Sequence, residues 1–242
     1  MLEIVELIRP ADQGRTTPFL CKASDGNIYY VKGYAATVGG LMREWLGAHL
    51  AKAFGLPVPK FEIAFLDSAL ANAYGGKAVS ELKGGYVFAS KQITSVTELK
   101  FETIKTIDTQ LKLSILIFDL WVENEDRTLS EKGGNPNLLW KSDDSGLYVI
   151  DHNMIFDENF NVASFWETHA FQALLINKQD DVVEKLDFEA KMQEALTYWQ
   201  SAWSKIPEEW IENNNDTQCF DPTKHLQRLS NEANGAIWLK LP

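Results

Sequence analysis

Residues 108–121 are apolar almost all round, with Leu113, Ile115, Leu116, Ile117, Phe118, Leu120 and Trp121 in close succession. A helix of that kind has no solvent face, so other elements must surround it. The run is too short for a membrane span and is interrupted by Asp119. The chain must therefore build a packed helical lobe about this segment, and 242 residues suffice for one large domain or two small lobes. A carboxylate inside such a helix has to be hydrogen-bonded. Asp119 is expected to brace the backbone of the loop that follows rather than to do chemistry.

Ahead of that helix the pattern is different. Residues 1–34 read as β-structure, in which 19–23 and 27–31 flank the turn Ser24-Asp25-Gly26, a hairpin signal. Residues 37–54 read as a helix with Leu41, Trp45 and Leu46 among its apolar positions; Gly55, Pro57 and Pro59 stop it. Residues 60–66 and 85–92 are further strands. An antiparallel sheet with one helix packed on it accounts for the segment. The character changes after Thr94, so the boundaries are set at 1–93 for a β-rich N-terminal lobe and 94–242 for a mainly helical C-terminal lobe, an α+β architecture. In the second lobe the chain is helical from about Phe165, most clearly over 184–206. Pro207 ends that segment, and a last helix starts near Pro222 after Asn213-Asn214-Asn215-Asp216.

Composition narrows the functional classes. The formal net charge is −11, which disfavours nucleic acid as a partner, since that requires a basic footprint. No apolar run is long enough for a membrane span, and the start of the chain, with Glu3 and Glu6, lacks the pattern of a signal peptide. Cys21 and Cys219 lie far apart and read as free thiols of a cytoplasmic protein. Neither has a partner that suggests a nucleophile or a zinc site.

The region after the apolar helix carries the chemistry. It reads Glu123-Asn124-Glu125-Asp126-Arg127, then Asn135-Pro136-Asn137-Leu138-Leu139-Trp140, then Val149-Ile150-Asp151-His152. The apolar runs 138–140 and 147–150, separated by Ser142-Asp143-Asp144-Ser145-Gly146, make a hairpin with Asn137 and Asp151 at the same end. An acidic loop residue, an asparagine entering a strand and an aspartate leaving the next is the order used in phosphoryl transfer. Asp126 can orient an acceptor hydroxyl, while Asn137 and Asp151 supply the hard oxygens that Mg²⁺ takes alongside phosphate and water. Taken alone, Asp126 sits in what is usually just a solvated loop. Lys32, ending a strand, and Glu44, on the next helix, would alone be ordinary surface charges; with the downstream residues they read as the pair that places an ammonium on nucleotide phosphates. Gly47, Ala48 and Ala51 share the helix face of Glu44 and leave it room to approach the sheet. Gly14-Arg15-Thr16-Thr17, ahead of the first hairpin, offers amides, hydroxyls and a cation to phosphate, or is an ordinary turn before Pro18. His49, His169 and His225 are isolated and read as structural, as does His152.

At these residues the chain resembles the HipA-like kinases, a bacterial branch of the protein-kinase-like fold. The matching segments are Tyr30-Val31-Lys32, Glu44 through Gly55-Leu56-Pro57-Val58-Pro59, Asn124-Glu125-Asp126-Arg127-Thr128, Asn135-Pro136-Asn137-Leu138-Leu139-Trp140 and Ile150-Asp151-His152. The resemblance implies a bilobal fold with ATP and Mg²⁺ as cofactors, Lys32 on the phosphates, Asp126 as the catalytic aspartate and Asp151 as the metal aspartate. It also implies that Gly14, Arg15, Thr16 and Thr17 cap the phosphates and that Phe88, Ala89, Lys91 and Ile93 lead into the adenine hinge. One departure stands out: Asp126 and Asn137 are eleven residues apart, where the kinase pattern has about five. Glu131-Lys132-Gly133-Gly134 looks like an insertion, which leaves Asn135 as the alternative ligand; Asn137 is favoured because it directly precedes the strand. The implied reaction is transfer of the γ-phosphoryl group to a hydroxyl, with a protein serine or threonine as the favoured acceptor. A small-molecule kinase is the second reading, and a silent nucleotide-binding module that regulates a protein partner is the third. Retention of Lys32, Asp126, Asn137 and Asp151 argues against silence.

Overall fold

A computed structural model describes residues 1–11, 18–143, 146–177, 182–214 and 220–242. Strand β1 (Leu2–Pro10) pairs antiparallel with β2 (Phe19–Ala23), which turns through Asp25 and Gly26 into β3 (Ile28–Lys32). The turn is closed by its own chemistry: Asp25 accepts from the Asn27 backbone N–H at 2.9 Å and Gly26 takes φ +79°. Helix α1 (Val38–Ala53) ends where Gly55 turns left-handed at φ +95° and the prolines follow. Then come β4 (Phe61–Leu66), the short helices α2 (Ser68–Tyr74) and α3 (Lys77–Glu81), and β5 (Gly85–Lys91).

These strands form a closed barrel in the order β1-β2-β3-β5-β4, in which β1 and β4 pair parallel from Leu2↔Ala64 to Ile4↔Leu66. The antiparallel sheet expected from sequence is thus corrected at one pairing, the parallel β1–β4 ladder that closes it. Register shifts between Ile4 and Glu6 and between Leu7 and Arg9 add coiling to β1, and closure pairs each strand of the barrel on both sides among the described residues. Ile4, Leu7, Phe19, Cys21, Val31, Leu66 and Val87 are buried in its core. Residues 68–81, without a strong pattern in sequence, fold as α2 and α3, with Ala71 and Ala78 buried in the same core.

The chain divides into two compact units. The first comprises Met1–Trp45, Pro59–Thr94 and Trp203–Phe220; the second comprises Leu46–Val58, Ser95–Ala202 and Asp221–Pro242. Thr94 is thus a boundary between units, but Leu46–Val58 groups with the later residues and Trp203–Phe220 with the earlier ones.

In the second unit β6 (Val96–Glu98) is followed by α4 (Thr109–Val122), the apolar helix, capped by Asp108 accepting from Leu111 N–H at 2.9 Å. Leu113 and Ile115 through Val122 are all buried. Phe54, just past the end of α1, places its ring 5.5 Å from Phe118, 6.0 Å from Trp121 and 6.2 Å from Phe188. Strands β7 (Thr128–Ser130) and β8 (Gly133–Asn135) form a small hairpin out of the apparent insertion. Strands β9 (Leu138–Lys141) and β10 (Gly146–Val149) form the expected one, extended by β6 pairing with β9. Helices α5 (Val162–Thr168), α6 (Val182–Thr197) and α7 (Trp199–Trp203) follow, then α8 (Glu208–Glu212) of the first unit and α9 (Pro222–Glu232) of the second. The single helix expected over 184–206 is corrected to two, because Tyr198 N–H bonds back to Ala195 in a tight turn. Among the described residues no helix is long and apolar enough to cross a membrane.

Gly47 has a different role from the one its helix face suggested. A Cβ there would lie 2.6 Å from His152 Cβ and 2.7 Å from Ile155 Cδ1. The missing side chain admits the residue that follows Asp151, rather than opening a path for Glu44. Gly47→Ala gains about 1 kcal/mol of helix propensity but overpacks a filled site, at about 1–3 kcal/mol. A net loss of stability is expected in chemical denaturation; a midpoint at or above wild type would mean that His152 yields freely.

Candidate active site

In the first unit Lys32 ends β3, and its Nζ donates to Glu44 Oε2 at 2.7 Å, with both side chains largely buried. The chain leaves Lys32 through Gly33, where a Cβ would lie 2.8 Å from Leu82 Cα. Only glycine lets that backbone pass so close. A lysine held this way presents its ammonium at a fixed place, with charge partly balanced by the carboxylate. Phe88 is directly opposite Lys32 in the β3–β5 ladder and shares its face of the sheet, with its ring stacked 6.0 Å from Phe61. Ala89 pairs with Val31 and Glu62 on either side, and its side chain belongs to the barrel core. Lys91 closes β5 opposite Tyr29 and Ile93 follows the strand, both half-buried. Gly14, Arg15, Thr16 and Thr17 lie outside the described residues.

The second unit gathers the other candidates. Val149 is paired with Leu138, and Ile150 N–H donates to the Asn137 carbonyl at 3.1 Å. Asn137 and Asp151 therefore leave the same end of the β9–β10 hairpin, as the spacing of the apolar runs suggested. Both take left-handed backbone, at φ +49° and φ +60°, a state that Asn and Asp adopt more readily than other residues with a side chain. Asp126 Oδ2 accepts from Asn135 Nδ2 at 2.8 Å and from Asn137 Nδ2 at 2.9 Å. One carboxylate oxygen thus collects both asparagines. Asn135 lies in β8 paired with Thr128 and is exposed, whereas Asn137 is buried.

Asp119 and Arg127 hold this loop from inside, both with fully buried side chains. Arg127 Nε donates to Asp119 Oδ2 at 2.6 Å and its Nη1 to the carbonyls of Asn137 at 2.6 Å and Pro136 at 3.2 Å. Asp119 Oδ1 also accepts from Asn124 Nδ2 at 2.9 Å. Asp119 does brace the loop, but through side chains: Arg127 carries the restraint to the backbone beside Asn137. His169 completes the group, with Nε2 3.0 Å from Asp119 Oδ2 and Nδ1 accepting from Phe171 N–H at 3.1 Å. An accepting Nδ1 places the imidazole proton on Nε2, directed at the carboxylate. Neither Arg127 nor His169 stands out in sequence, the one lost in a polar run and the other isolated.

Burial alone would raise the Asp119 pKa. The Arg127 charge and the His169 hydrogen bond outweigh it and hold the carboxyl at about 2. For His169 burial dominates and lowers the pKa, against the pull of Asp119. Both folded-state values lie below the unfolded ones, so both groups stabilise above the unfolded pKa and lose that contribution as pH falls through the folded one. The His169 contribution is lost first, on acidification below pH 6.5, and that of Asp119 below 3.8. His169→Asn, which keeps a donor, is expected to flatten the dependence of melting temperature on pH just below 6.5. Parallel curves for the variant and wild type would exclude a neutral buried imidazole.

Cys21, His152 and His225 have packing roles. Burial pushes the Cys21 thiol up to about 12, leaving it protonated. Cys219 lies outside the described residues. His152 sits edge-on to Phe118 at 6.2 Å, and His225 stacks on Phe156 at 4.7 Å. Among the described residues no group of three or more His, Cys, Asp and Glu side chains forms a metal cage. The amide of Asn137 and carboxylate of Asp151 fit Mg²⁺, which takes few protein oxygens and completes its shell with water and phosphate.

Comparison with known proteins bears on this geometry. The sequence profile of the HipA-like kinases matches residues 4–241. No curated protein matches the chain. Among solved structures, the Helicobacter pylori proinflammatory kinase CtkA is similar at 12% identity, covering 98% of this chain and 94% of that one with a TM-score of 0.50. The Golgi casein kinase is similar at 11% identity over 99% of this chain and 73% of its own, with a TM-score of 0.51. Its Mn/ADP-bound form gives 12% identity, 98% and 72% coverage, and a TM-score of 0.51. The fold is that of the protein kinases, and the chain belongs to the HipA-like kinase family.

Proposed function

We propose that this kinase transfers the γ-phosphoryl group of Mg-ATP to a protein serine or threonine hydroxyl in the cytoplasm, with residues 1–93 binding nucleotide and 94–242 carrying the chemistry. The observation that supports this most is the convergence of Asn135 and Asn137 on one oxygen of Asp126, beside the hairpin end from which Asp151 leaves. Two amide donors turn one carboxylate oxygen inward and leave the other, Oδ1, to receive the acceptor O–H. In the reaction the acceptor oxygen bonds to the γ-phosphorus as the bond to the bridging oxygen breaks. ADP leaves with that electron pair, and the hydroxyl proton goes to Asp126. Lys32, steadied by Glu44, donates to phosphate oxygens, and Phe88 through Ile93 border the adenine. Gly14 through Thr17 cap the phosphates. Asn137 and Asp151 would hold Mg²⁺, which when bound neutralises phosphate charge and orients the transferred group. A protein acceptor is favoured because one structural neighbour is named for casein; a regulatory protein partner is part of the same reading.

Mg-ATP is expected to stabilise the fold by about 2.7 kcal/mol at about 100 times its dissociation constant. Asp151→Ala should remove the metal-dependent part, because Asp151 is the one full negative charge in the proposed ligand set. Melting curves with ATP, with and without Mg²⁺, test this; a wild type indifferent to the metal rules the assignment out.

A further inference from the structure

Helix α4 does not end on the glycine usual for a left-handed cap. It ends on Glu123, at φ +55° and ψ +60°, the residue from which the chain passes into Asn124-Glu125-Asp126. A side chain other than glycine or asparagine is disfavoured there, so the glutamate must be held by what surrounds it. Its carboxylate is bracketed by two cations: Lys240 Nζ lies 2.9 Å from Oε1 and Arg228 Nε 3.2 Å from Oε2. Both cations also meet Glu232, Lys240 at 2.6 Å and Arg228 at 3.2 Å. Arg228 Nη1 donates in addition to the Trp121 carbonyl in the last turn of α4, at 3.0 Å. The four side chains are at most 22% exposed.

We propose that Glu123, Arg228, Glu232 and Lys240 form a positioning cluster that sets the catalytic loop, acting on Asp126 through the backbone that Glu123 begins. Asn124 and Arg127 tie that loop from within, through Asp119. Glu123 ties its entry from α9 and from the helical turn Ala236–Lys240. Isolated ion pairs at a surface contribute little stability. A network placed on a left-handed glutamate at the mouth of a loop is instead suited to fixing geometry, and small displacements of a reacting group cost rate steeply.

This inference rests on Asp126 being the residue that receives the acceptor proton, and Glu123→Gly tests the two ideas separately. Glycine is the favoured residue at a left-handed cap, so the variant relieves the backbone while removing the carboxylate. The expected result is a melting temperature near wild type, an unchanged KM for Mg-ATP and a kcat lower by about tenfold or more, measured as ADP formation with casein as the acceptor. Lys240→Met should behave alike, and Lys240→Arg should restore most of the rate. Amide hydrogen exchange on the full-length variants is the second readout, with faster exchange expected at residues 124–127 and none at the centre of α4. Unchanged kcat with unchanged loop exchange overturns the proposal. If wild type forms no ADP with casein or with cell lysate, the kinase reading fails, and the exchange data alone decide whether the cluster sets the loop.

Discussion

Asp126→Asn is expected to lower phosphoryl transfer by about 10²- to 10⁴-fold, the contribution of a positioned general base, while leaving Mg-ATP affinity close to wild type. The contacts argue for so clean a separation. Asn135 and Asn137 both donate to Oδ2, and an asparagine at 126 can turn its carbonyl oxygen to the same place. The amide then occupies the position of Oδ1, so the loop keeps its shape and loses only the group that accepts the proton. Single-turnover transfer and equilibrium nucleotide binding, measured on the same preparation, check the split. A variant that binds Mg-ATP much more weakly would show that the roles of Asp126 and Asp151 had been exchanged.

Arg127→Met carries the largest expected effect on stability. Removing one member of a buried ion pair leaves an uncompensated charge and costs about 3–5 kcal/mol, a large share of the roughly 5–15 kcal/mol that holds a domain folded. Here the loss also strips a donor from the carbonyls of Pro136 and Asn137, so the Mg²⁺ concentration for half-maximal activity should rise in whatever fraction remains folded. Replacing Asp119 with leucine in the same chain should recover part of the loss, because the carboxylate left unpaired is then gone. Denaturation of both single variants and the double variant gives the coupling. A loss below about 1 kcal/mol for Arg127→Met, in the range of exposed pairs, would mean that water reaches Asp119.

Much of this site was legible because its signals are local. The turn at Asp25-Gly26, the stop at Gly55 and the two apolar runs around Ser142-Asp143 each act within a few residues. They placed Lys32 at a strand end and brought Asn137 and Asp151 to one hairpin edge. The Lys32–Glu44 pair followed from a strand and its neighbouring helix, and the 2.7 Å contact bears that out. What was illegible depends on distance along the chain. Arg127 looks solvated beside Asn124, Glu125 and Asp126, and only its reach to the Asn137 carbonyl shows otherwise. His169 meets Asp119 across fifty residues. The parallel β1–β4 pairing that closes the barrel, and the pairing of β6 with β9, join segments whose own patterns say nothing of a partner. The β7–β8 hairpin was hidden for another reason. Gly133 and Gly134 weaken any strand pattern, yet at Gly134, φ +158°, a Cβ would come 2.4 Å from the Thr128 carbonyl oxygen.

The most direct measurement is to incubate the full chain with γ-labelled ATP and Mg²⁺, alone and with cell lysate, and to follow where the label goes, with Asp126→Asn and Asp151→Ala in parallel. The expected result is metal-dependent label on protein serine or threonine, absent in both variants. Label confined to small molecules would reassign the acceptor, and neither ADP nor labelled product from the wild type would contradict phosphoryl transfer by this site altogether.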